Sequence, residues 1–311
     1  MRTALAPARP RTPAMTKPGL SRTAQHTFAS EVARLAVRSL HVELCLYPKP
    51  GLVSLVDTGS HDDMDAQTFI RSLFSLRHYF KKICLAGLND APFARLKQLG
   101  IEAEAAMLKA TRGINTHRGA IFSLGLLSAT AGLARAQGTP MTPAALRAAM
   151  LIRWGEELAM HAAAAPSSNS PQAQLSNGLR VAAHYAVSGA REEGALGLPS
   201  VFDIGVPALL ASRARGASMT HARIDTLFTL MARISDSNVY HRAGPQGAQT
   251  VRTHAQHFID LGGTANAEWR AQALASHHAF VQQRLSPGGA ADLLAASCLV
   301  HAIAAMEQDE Q

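Results

Sequence analysis

Aromatic residues are scarce in this sequence: tyrosine occurs four times, tryptophan twice, and aromatic residues make up 5% of the 311 positions. Aromatic and β-branched side chains are the usual formers of β-strands, whereas alanine and leucine, which are abundant here, favour helices. No segment alternates apolar and polar residues with the period that a half-buried strand requires. The sequence therefore predicts an all-α protein.

Cysteine is also scarce, and the three residues, Cys45, Cys84 and Cys298, lie too far apart for a metal-binding or redox motif. Each lies in an apolar helical segment, so we expect buried free thiols in a reducing compartment. The N-terminus has no apolar signal core, and the uncharged run Gly119–Ala134 is shorter than a membrane span of about 20 residues. We therefore expect a cytoplasmic protein that does not span a membrane.

Positive charge is concentrated at the N-terminus. The formal net charge is +8, and residues 1–22 contain no acid but five basic residues: Arg2, Arg9, Arg11, Lys17 and Arg22. Prolines break any helix in this segment, so we predict a disordered basic tail over 1–22 and one α-helical domain over 23–311. The domain has only a small positive surplus and no basic patch interleaved with aromatic residues, so a nucleic-acid partner is not predicted.

Hydrophobic periodicity predicts a single domain of roughly ten to twelve helices. We expect Gly100 to interrupt the third helix, and a polar loop over 165–171 to precede a helix over 179–187. Glycine-containing polar loops introduce several of the apolar helices, at 59–65, 113–119, 188–193, 235–244 and 286–292. We expect these loops to meet in a glycine-rich active site.

The loop at 113–119 opens the helix that contains the uncharged run. The first N–H groups of a helix lack intrahelical partners and carry the positive end of its dipole. Asn115, Thr116, His117 and Arg118 stand at this helix start, and we expect them to contact a phosphate of the substrate. A core helix with Thr116 as a simple N-cap is the alternative interpretation.

Acids in loops and on one helix are candidates for metal binding and catalysis. Asp63 and Asp65 belong to the densest acidic cluster and suit Mg²⁺, which takes oxygen ligands and bridges to phosphates; simple stabilisation of a helix start is the alternative. Glu104 shares a helical face with apolar residues, so its carboxylate is expected to point inward and to be either paired or functional.

The end of another apolar helix supplies a further acid. Asp236, with Asn238 beside it, is expected to follow the C-terminus of that helix, where the dipole disfavours a carboxylate. A metal or another cation would offset this cost. Asp236 is therefore a candidate metal ligand and catalytic residue.

Cations in small-residue loops are candidates for phosphate binding. Arg191 and Arg242 suit bidentate contacts with a phosphate, although a solvated or salt-bridged arginine is the common alternative. Lys49 projects between two prolines, and His61 lies in the acidic loop. A loop histidine is more often a hydrogen-bonded bystander than a catalyst.

Together these residues describe an all-α, Mg²⁺-dependent site for phosphorylated ligands, to which Ser286, Gly288 and Gly289 add N–H groups that can bind an anion. Three interpretations remain open from the residues: an isoprenoid-synthase-like site, a nucleotide-binding scaffold without catalysis, and group transfer to or from a nucleotide. The acid spacing disfavours the first, because its full motif would need an acid at Ala66.

Seven segments carry a further signal when they are taken in order: Pro48-Lys49-Pro50-Gly51-Leu52-Val53, Asp57 with Gly59 to Asp65, Gly113 to Phe122, Gly189 to Glu193, Asp236-Ser237-Asn238, Arg242 with Gly244, and Ser286 to Leu294. Together they resemble one family, triphosphoribosyl-dephospho-CoA synthase, and the resemblance covers roughly residues 25–305. Tyr47 to Pro50 and Arg77 to Phe80 look more like the branch that serves malonate decarboxylase than the branch that serves citrate lyase.

The resemblance implies a reaction in which the ribose 2′-hydroxyl of 3′-dephospho-CoA attacks C1′ of the ATP ribose and adenine leaves. ATP and 3′-dephospho-CoA would be the substrates, Mg²⁺ the cofactor, and the product would pass through a separate transferase towards an acyl carrier protein. The implied roles are phosphate binding by Lys49 and the arginines, and metal or base functions for Asp63, Asp65 and Asp236.

One departure from the family pattern is Ala243, which stands where the resemblance predicts glycine. A methyl group in a loop with positive φ would be strained, so the loop near Arg242 is expected to be shifted or the activity reduced. The rival function is an all-α, Mg²⁺-dependent hydrolase acting on a nucleotide or an ADP-ribosyl group, in which water replaces the 2′-hydroxyl.

Overall fold

A computed structural model describes residues 20–164 and 189–309. These two ranges contain no β-strand and form eleven α-helices: α1 (Arg22–Leu44), α2 (Ala66–Leu88), α3 (Phe93–Ala110), α4 (Arg118–Gln137), α5 (Pro143–Ala163), α6 (Ala190–Ala195), α7 (Val206–Ala214), α8 (Met219–Arg233), α9 (Ser237–Asp260), α10 (Trp269–Gln282) and α11 (Gly288–Asp309). A π-helical turn over Ser200–Gly205 precedes α7, and a 3₁₀ turn over Gly263–Ala265 precedes α10. The all-α prediction is confirmed.

The larger of two hydrophobic clusters surrounds α4, which is buried along most of its length. Glycines let α2 and α4 approach backbone to backbone: a Cβ on Gly87 would lie 1.9 Å from the Ala129 carbonyl oxygen, and one on Gly132 would lie 2.2 Å from that of Cys84. Because α4 carries small residues at these crossings, it can serve as the central helix of this half.

The second cluster packs α8, α9 and α10 together, with the Phe228 and Phe258 rings stacked at a centroid distance of 3.8 Å. Helix α11 contributes to both clusters, since Leu294 belongs to the second and Leu299 to the first. The starts of α4, α9 and α11 consequently lie near one another, between the two halves of the molecule.

Three expectations about the helices and cysteines are wrong. Gly100 does not interrupt α3, because the helix runs unbroken from Phe93 to Ala110. The segment 235–244 is a helix start and not a long break: α9 begins at Ser237 and is only kinked at Gly244, where φ is 60°. Cys45 is exposed, while Cys84 and Cys298 are buried as expected. The expected loop over 165–171, the helix over 179–187 and most of the basic tail lie outside the described residues.

Two described helices are long and apolar enough to cross a bilayer by length and composition alone, namely α4 and the segment Gly288–Met306 of α11. In α4, 78% of the most apolar stretch is buried inside the protein, and in α11 the share is 56%. This burial is typical of the core helices of a soluble protein.

Candidate active site

A cavity of about 970 Å³ lies between the two halves, and the glycine-containing loops converge on it. It is lined by every residue proposed above for the site except Asp65: Lys49, His61, Asp63, Glu104, Asn115, Thr116, His117, Arg118, Arg191, Asp236, Asn238, Arg242, Ser286, Gly288 and Gly289. Segments far apart in the sequence therefore meet around one space that is large enough for a nucleotide.

Ser60 and His61 join three of these segments. The Ser60 hydroxyl donates to the Leu285 carbonyl oxygen at 2.6 Å, and the Ser60 carbonyl oxygen accepts from Arg242 Nη1 at 3.1 Å. His61 Nδ1 lies 3.0 Å from Arg242 Nη2, and His61 Nε2 lies 2.8 Å from Ser286 Oγ. Burial and the Arg242 charge lower the pKa of His61, so this side chain is a neutral link between loops at physiological pH.

The two acids proposed as a metal-binding pair have different surroundings. Asp65 is the N-cap of α2 and accepts from the Thr68 N–H at 2.8 Å and the Thr68 hydroxyl at 2.7 Å, contacts that lower the pKa of its carboxyl group. Asp63 lines the cavity with its side chain 61% exposed, and one oxygen lies 3.5 Å from His61 Nδ1. Both side chains are exposed, but of this pair only Asp63 lines the cavity.

Asp236 is the N-cap of α9, so the expectation that it lies at an unfavourable helix end is wrong. Only three residues, 234 to 236, separate α8 from α9, and the Asp236 carboxylate belongs to the positive end of the second dipole. Oδ1 accepts from Asn238 N at 2.9 Å, and Oδ2 accepts from Ala290 N, in the first turn of α11, at 3.0 Å. Burial nevertheless raises the pKa of Asp236 above its ordinary value.

A buried ion pair that includes one unpredicted residue lines the same cavity. Lys49 Nζ donates to Glu43 Oε1 at 2.6 Å and to the Glu43 carbonyl oxygen at 3.1 Å, and the two side chains are 1% and 6% exposed. Both residues line the cavity. Glu43 was missed because a single acid near the end of an amphipathic helix is usually interpreted as exposed to solvent.

A second acid missed by sequence reasoning is Asp292, on the first turns of α11. It is half-buried, lines the cavity and accepts a hydrogen bond from the Ala120 N–H at the start of α4. Burial, with the charges of Glu43 and Asp236 nearby, raises the pKa of Asp292 well above its ordinary value. Asp292 could have been identified as a candidate site residue from its position at the end of the Ser286-to-Asp292 motif.

The start of α4 has a different capping arrangement from the one considered above. Thr116 does not cap the helix; its hydroxyl donates to Ser72 Oγ at 2.8 Å, and Asn115 Oδ1 accepts from Arg118 N at 3.2 Å. Glu104 does point to the cavity, and it is paired, because Arg118 Nε donates to its carboxylate at 2.6 Å. The pair holds the Arg118 guanidinium beside the cavity.

His117 is 3% exposed, and its Nδ1 lies 2.7 Å from Ser72 Oγ. Its Nε2 is buried without a hydrogen-bond partner, although the residue lines the cavity. Burial, followed by the Lys49 charge, lowers the pKa of His117 to about 3. This side chain is therefore neutral and cannot supply the positive charge of a phosphate ligand.

Charge is distributed unevenly over the cavity. We call the buried or half-buried group Glu43, Lys49, Asp236 and Asp292 the floor. We call the exposed or partly exposed cations that line the cavity the mouth: Lys97, Arg118, Arg191, Arg233 and Arg242. A phosphorylated ligand fits with its phosphates at the mouth and an electron-poor centre near the acids of the floor.

Ala243 is tolerated without strain, so the expectation of a distorted loop is wrong. Ala243 is not among the described non-glycine residues with positive φ; the positive φ belongs to Gly244. The Ala243 methyl packs towards Gly247, where an added Cβ would lie 2.4 Å from it.

The fit of Mg²⁺ can be judged from the donors present. In the described ranges, no three His, Cys, Asp or Glu side chains are grouped closely enough to form a protein metal cage. Mg²⁺ commonly binds through one or two carboxylates together with substrate phosphates. Asp63, exposed to the cavity, fits that mode, whereas Asp65 and Asp236 are occupied by helix-start N–H groups.

Comparison with known proteins gives a consistent result. Residues 29–311 match the sequence model of the ATP:dephospho-CoA triphosphoribosyl transferase family. Similar proteins, each described as "Probable 2-(5''-triphosphoribosyl)-3'-dephosphocoenzyme-A synthase", occur in Acinetobacter calcoaceticus (37% identity, 87% of this chain and 89% of the relative), Stutzerimonas stutzeri (39%, 86% and 90%) and Pseudomonas fluorescens Pf-5 (40%, 89% and 92%). No solved structure matches the chain significantly.

Proposed function

The chain belongs to the ATP:dephospho-CoA triphosphoribosyl transferase family, a family of ATP-using transferases, and we propose that it makes 2′-(5″-triphosphoribosyl)-3′-dephospho-CoA from ATP and 3′-dephospho-CoA, with release of adenine. One observation carries the proposal beyond the family match. A single cavity has cations at its mouth and carboxylates at its floor. Transfer of a ribosyl group that keeps its triphosphate needs both.

The floor suits the electron-poor ribose. In the reaction, the 2′-hydroxyl oxygen forms a bond to C1′ of the ATP ribose while the C1′–nitrogen bond to adenine breaks. Positive charge develops on the ribose ring in the transition state, and carboxylates fixed nearby stabilise it. The Asp236 carboxylate is held by N–H groups of α9 and α11, so it does not need to reorganise when that charge appears.

Asp236 also suits the role of general base. Its pKa is raised by burial, which brings it closer to the working pH of a base. The exposed Asn238 side-chain amide donates to Asp236 Oδ1 at 3.2 Å, and a substrate hydroxyl that displaces this amide would reach the same oxygen. The 2′-hydroxyl proton would then pass to Asp236.

The mouth suits the triphosphate. Arg118 is held by Glu104, Arg242 is held against Ser60 and His61, and Arg191 stands at the start of α6. Guanidinium groups bind phosphate oxygens with two hydrogen bonds each. Asp63 would hold Mg²⁺ together with phosphate oxygens, and the ion would neutralise part of the triphosphate charge.

We propose further that the protein is cytoplasmic and that its product reaches the acyl carrier protein of malonate decarboxylase through a separate transferase. The resemblance of Tyr47 to Pro50 and of Arg77 to Phe80 to that branch supports this choice over citrate lyase. In a strain without this chain, mass spectrometry of the malonate decarboxylase carrier should show the missing prosthetic group. A complete carrier would contradict the assignment.

The reaction is tested by incubating purified protein with ATP, 3′-dephospho-CoA and Mg²⁺ and measuring adenine by chromatography and the product by mass spectrometry. We expect adenine release that depends on all three components. Release of ADP or phosphate would refute the transferase, and turnover without 3′-dephospho-CoA would indicate the rival hydrolase.

A matched pair of variants tests the metal proposal. Asp63→Asn should abolish turnover and leave the helical circular dichroism intact. Asp62→Asn is the control, because Asp62 is the neighbouring acid, 91% exposed, and does not line the cavity. Full activity of Asp63→Asn would remove Asp63 from the site.

A further inference from the structure

We propose that Asp292 is the catalytic acid that protonates adenine as it leaves, an inference that rests on the proposed function and adds to it a residue with a defined role. Asp292 lines the same cavity as the other site residues but belongs to α11. Three observations support this role: the position of Asp292, the charged groups around it, and the partners that the other titratable groups already have.

The position of Asp292 is fixed by the start of α4. The Ala120 N–H donates to its carboxyl group, and a Cβ on Gly119 would lie 2.2 Å from Asp292 Oδ2. Real Cβ atoms do not approach an oxygen so closely, so the carboxyl group occupies space that only glycine leaves free. The first turn of α11 thereby packs its acid directly against the first turn of α4, at the cavity wall.

The titratable groups around Asp292 come from several elements. Glu43 faces it from α1 and Asp236 from the start of α9, while Lys49 and His117 stand in the same part of the cavity. Arg223 of α8 faces α11 further along, at Cys298. Burial and the two neighbouring acids raise the pKa of Asp292 well above its ordinary value, which favours the protonated form that a general acid needs.

A second observation shows that this region is built for a ligand. His117 Nε2 is buried without a hydrogen-bond partner and lines the same cavity, and buried polar atoms are normally paired. His117 itself is unsuited to donate a proton as an acid, because the pKa of its ring is lowered to about 3.

The other acids that line the cavity either have hydrogen-bond or salt-bridge partners or are exposed to solvent. Asp236 accepts N–H groups from two helices, and Asp63 is exposed. The remaining acids have partners of their own: Glu43 is paired with Lys49, Glu104 with Arg118, Glu192 accepts from Gly189 N, and Glu193 accepts from Ser200. Asp292 is therefore the described acid at the floor that lines the ligand space and whose raised pKa favours the protonated form.

The proton balance is complete with these two acids. The 2′-hydroxyl oxygen bonds to C1′ and gives its proton to Asp236; the electron pair of the C1′–nitrogen bond goes to adenine, which takes the Asp292 proton. Adenine leaves neutral, the triphosphate stays intact, and Asp236 and Asp292 exchange protons with water before the next turnover.

The experiment measures kcat, both KM values and the pH profile of kcat for wild type and Asp292→Asn. We expect kcat to fall by about 10²- to 10⁴-fold, with both KM values within about threefold of wild type. Because the acid must be protonated, wild-type kcat should fall as pH rises through the pKa of Asp292, and this alkaline limb should be absent from the residual activity of the variant.

Asp225→Asn is the control, since Asp225 is also a carboxylate that accepts hydrogen bonds, from Thr264 N at 2.8 Å and Ser212 Oγ at 2.5 Å, but it does not line the cavity. An Asp292→Asn kcat within threefold of wild type, an equal loss in Asp225→Asn, or an unchanged alkaline limb would overturn the proposal.

If Asp292→Asn does not fold, the pH profile of the wild-type enzyme still tests the proposal. A wild-type kcat that stays level from about pH 6 to about pH 9 would contradict an essential protonated acid. Failure of the proposed function itself would look different: wild type would release no adenine at any pH.

Discussion

The floor and the mouth of the cavity carry opposite charge in different physical settings. The Glu43–Lys49 pair is almost fully buried, and Asp236 is enclosed by the starts of two helices. The mouth cations are exposed or partly exposed, and Arg118 remains 39% exposed although it is paired. Charges in a poorly solvated interior interact strongly and are costly to leave unpaired, whereas exposed charges are screened by water and salt.

The floor and the mouth should therefore respond differently to substitution. Changes at the floor should act as all-or-none effects on chemistry or folding. Changes at the mouth should act as graded, salt-dependent effects on binding. The four predictions below test this contrast, from the largest expected effect to the smallest.

The largest effect is expected for Asp236→Asn. Removal of the general base and of a fixed negative charge should lower kcat by about 10²- to 10⁴-fold, measured as adenine release. Asp225→Asn, which alters a comparable carboxylate outside the cavity, should unfold more easily yet keep the kcat of wild type. Equal kcat losses in both variants would mean that Asp236 acts only by capping helices.

The next effect concerns stability. Lys49→Met leaves the Glu43 carboxylate buried without its partner, which should cost about 3–5 kcal/mol, measured by urea unfolding. The double variant Glu43→Met/Lys49→Met should recover much of this loss but not the activity. Lys97→Met, at an exposed lysine of the mouth, should change stability by less than about 0.5 kcal/mol. A double variant no more stable than the single one would contradict a strong buried pair.

At the mouth, Arg191→Gln should raise the KM for ATP by about tenfold and leave kcat nearly unchanged, because one charge-assisted phosphate contact is lost. The difference from wild type should shrink as salt increases. Arg95→Gln, at an exposed arginine outside the cavity, is the control. A loss of kcat without a change in KM would contradict a role in phosphate binding, because Arg191 would then behave like a residue of the floor.

The smallest effect is expected for Ala243→Gly, which restores the residue that the family pattern predicts. Ala243 lies in α9 without a positive φ, so glycine relieves no strain and should destabilise the protein by about 1 kcal/mol or less. Thermal unfolding and kcat measure the outcome. A marked gain in kcat would show that the alanine does hinder the loop.

The sequence was sufficient for the features that depend on local pattern. The uncharged run predicted a long apolar helix, and the glycine-containing loops predicted the segments that meet at one cavity. Asp236 was assigned to the wrong helix dipole, because only three residues separate α8 from α9 and the sequence does not distinguish the end of one helix from the start of the next.

The residues that were missed depend on tertiary packing. Nothing near Glu43 in the sequence indicates that Lys49 turns back to it, and nothing near Asp292 indicates that Gly119 and Ala120 receive its carboxyl group. Gly100 was given too much weight as a helix breaker, because packing of α3 on its neighbours outweighs a propensity of about 1 kcal/mol. Burial of a polar side chain is a property of the whole fold.

The hydrogen bond from Ser60 to the Leu285 carbonyl oxygen has a consequence for the order of folding. It joins residues 225 positions apart, and Arg242 and Ser286 attach to the same loop through His61. Contacts of such long sequence separation form late, because a large loop must close before they can contribute stability. The helices around α4 can pack early from nearby residues, but the cavity is complete only when α11 has docked, so the docking of α11 determines when the protein first becomes able to bind its substrates.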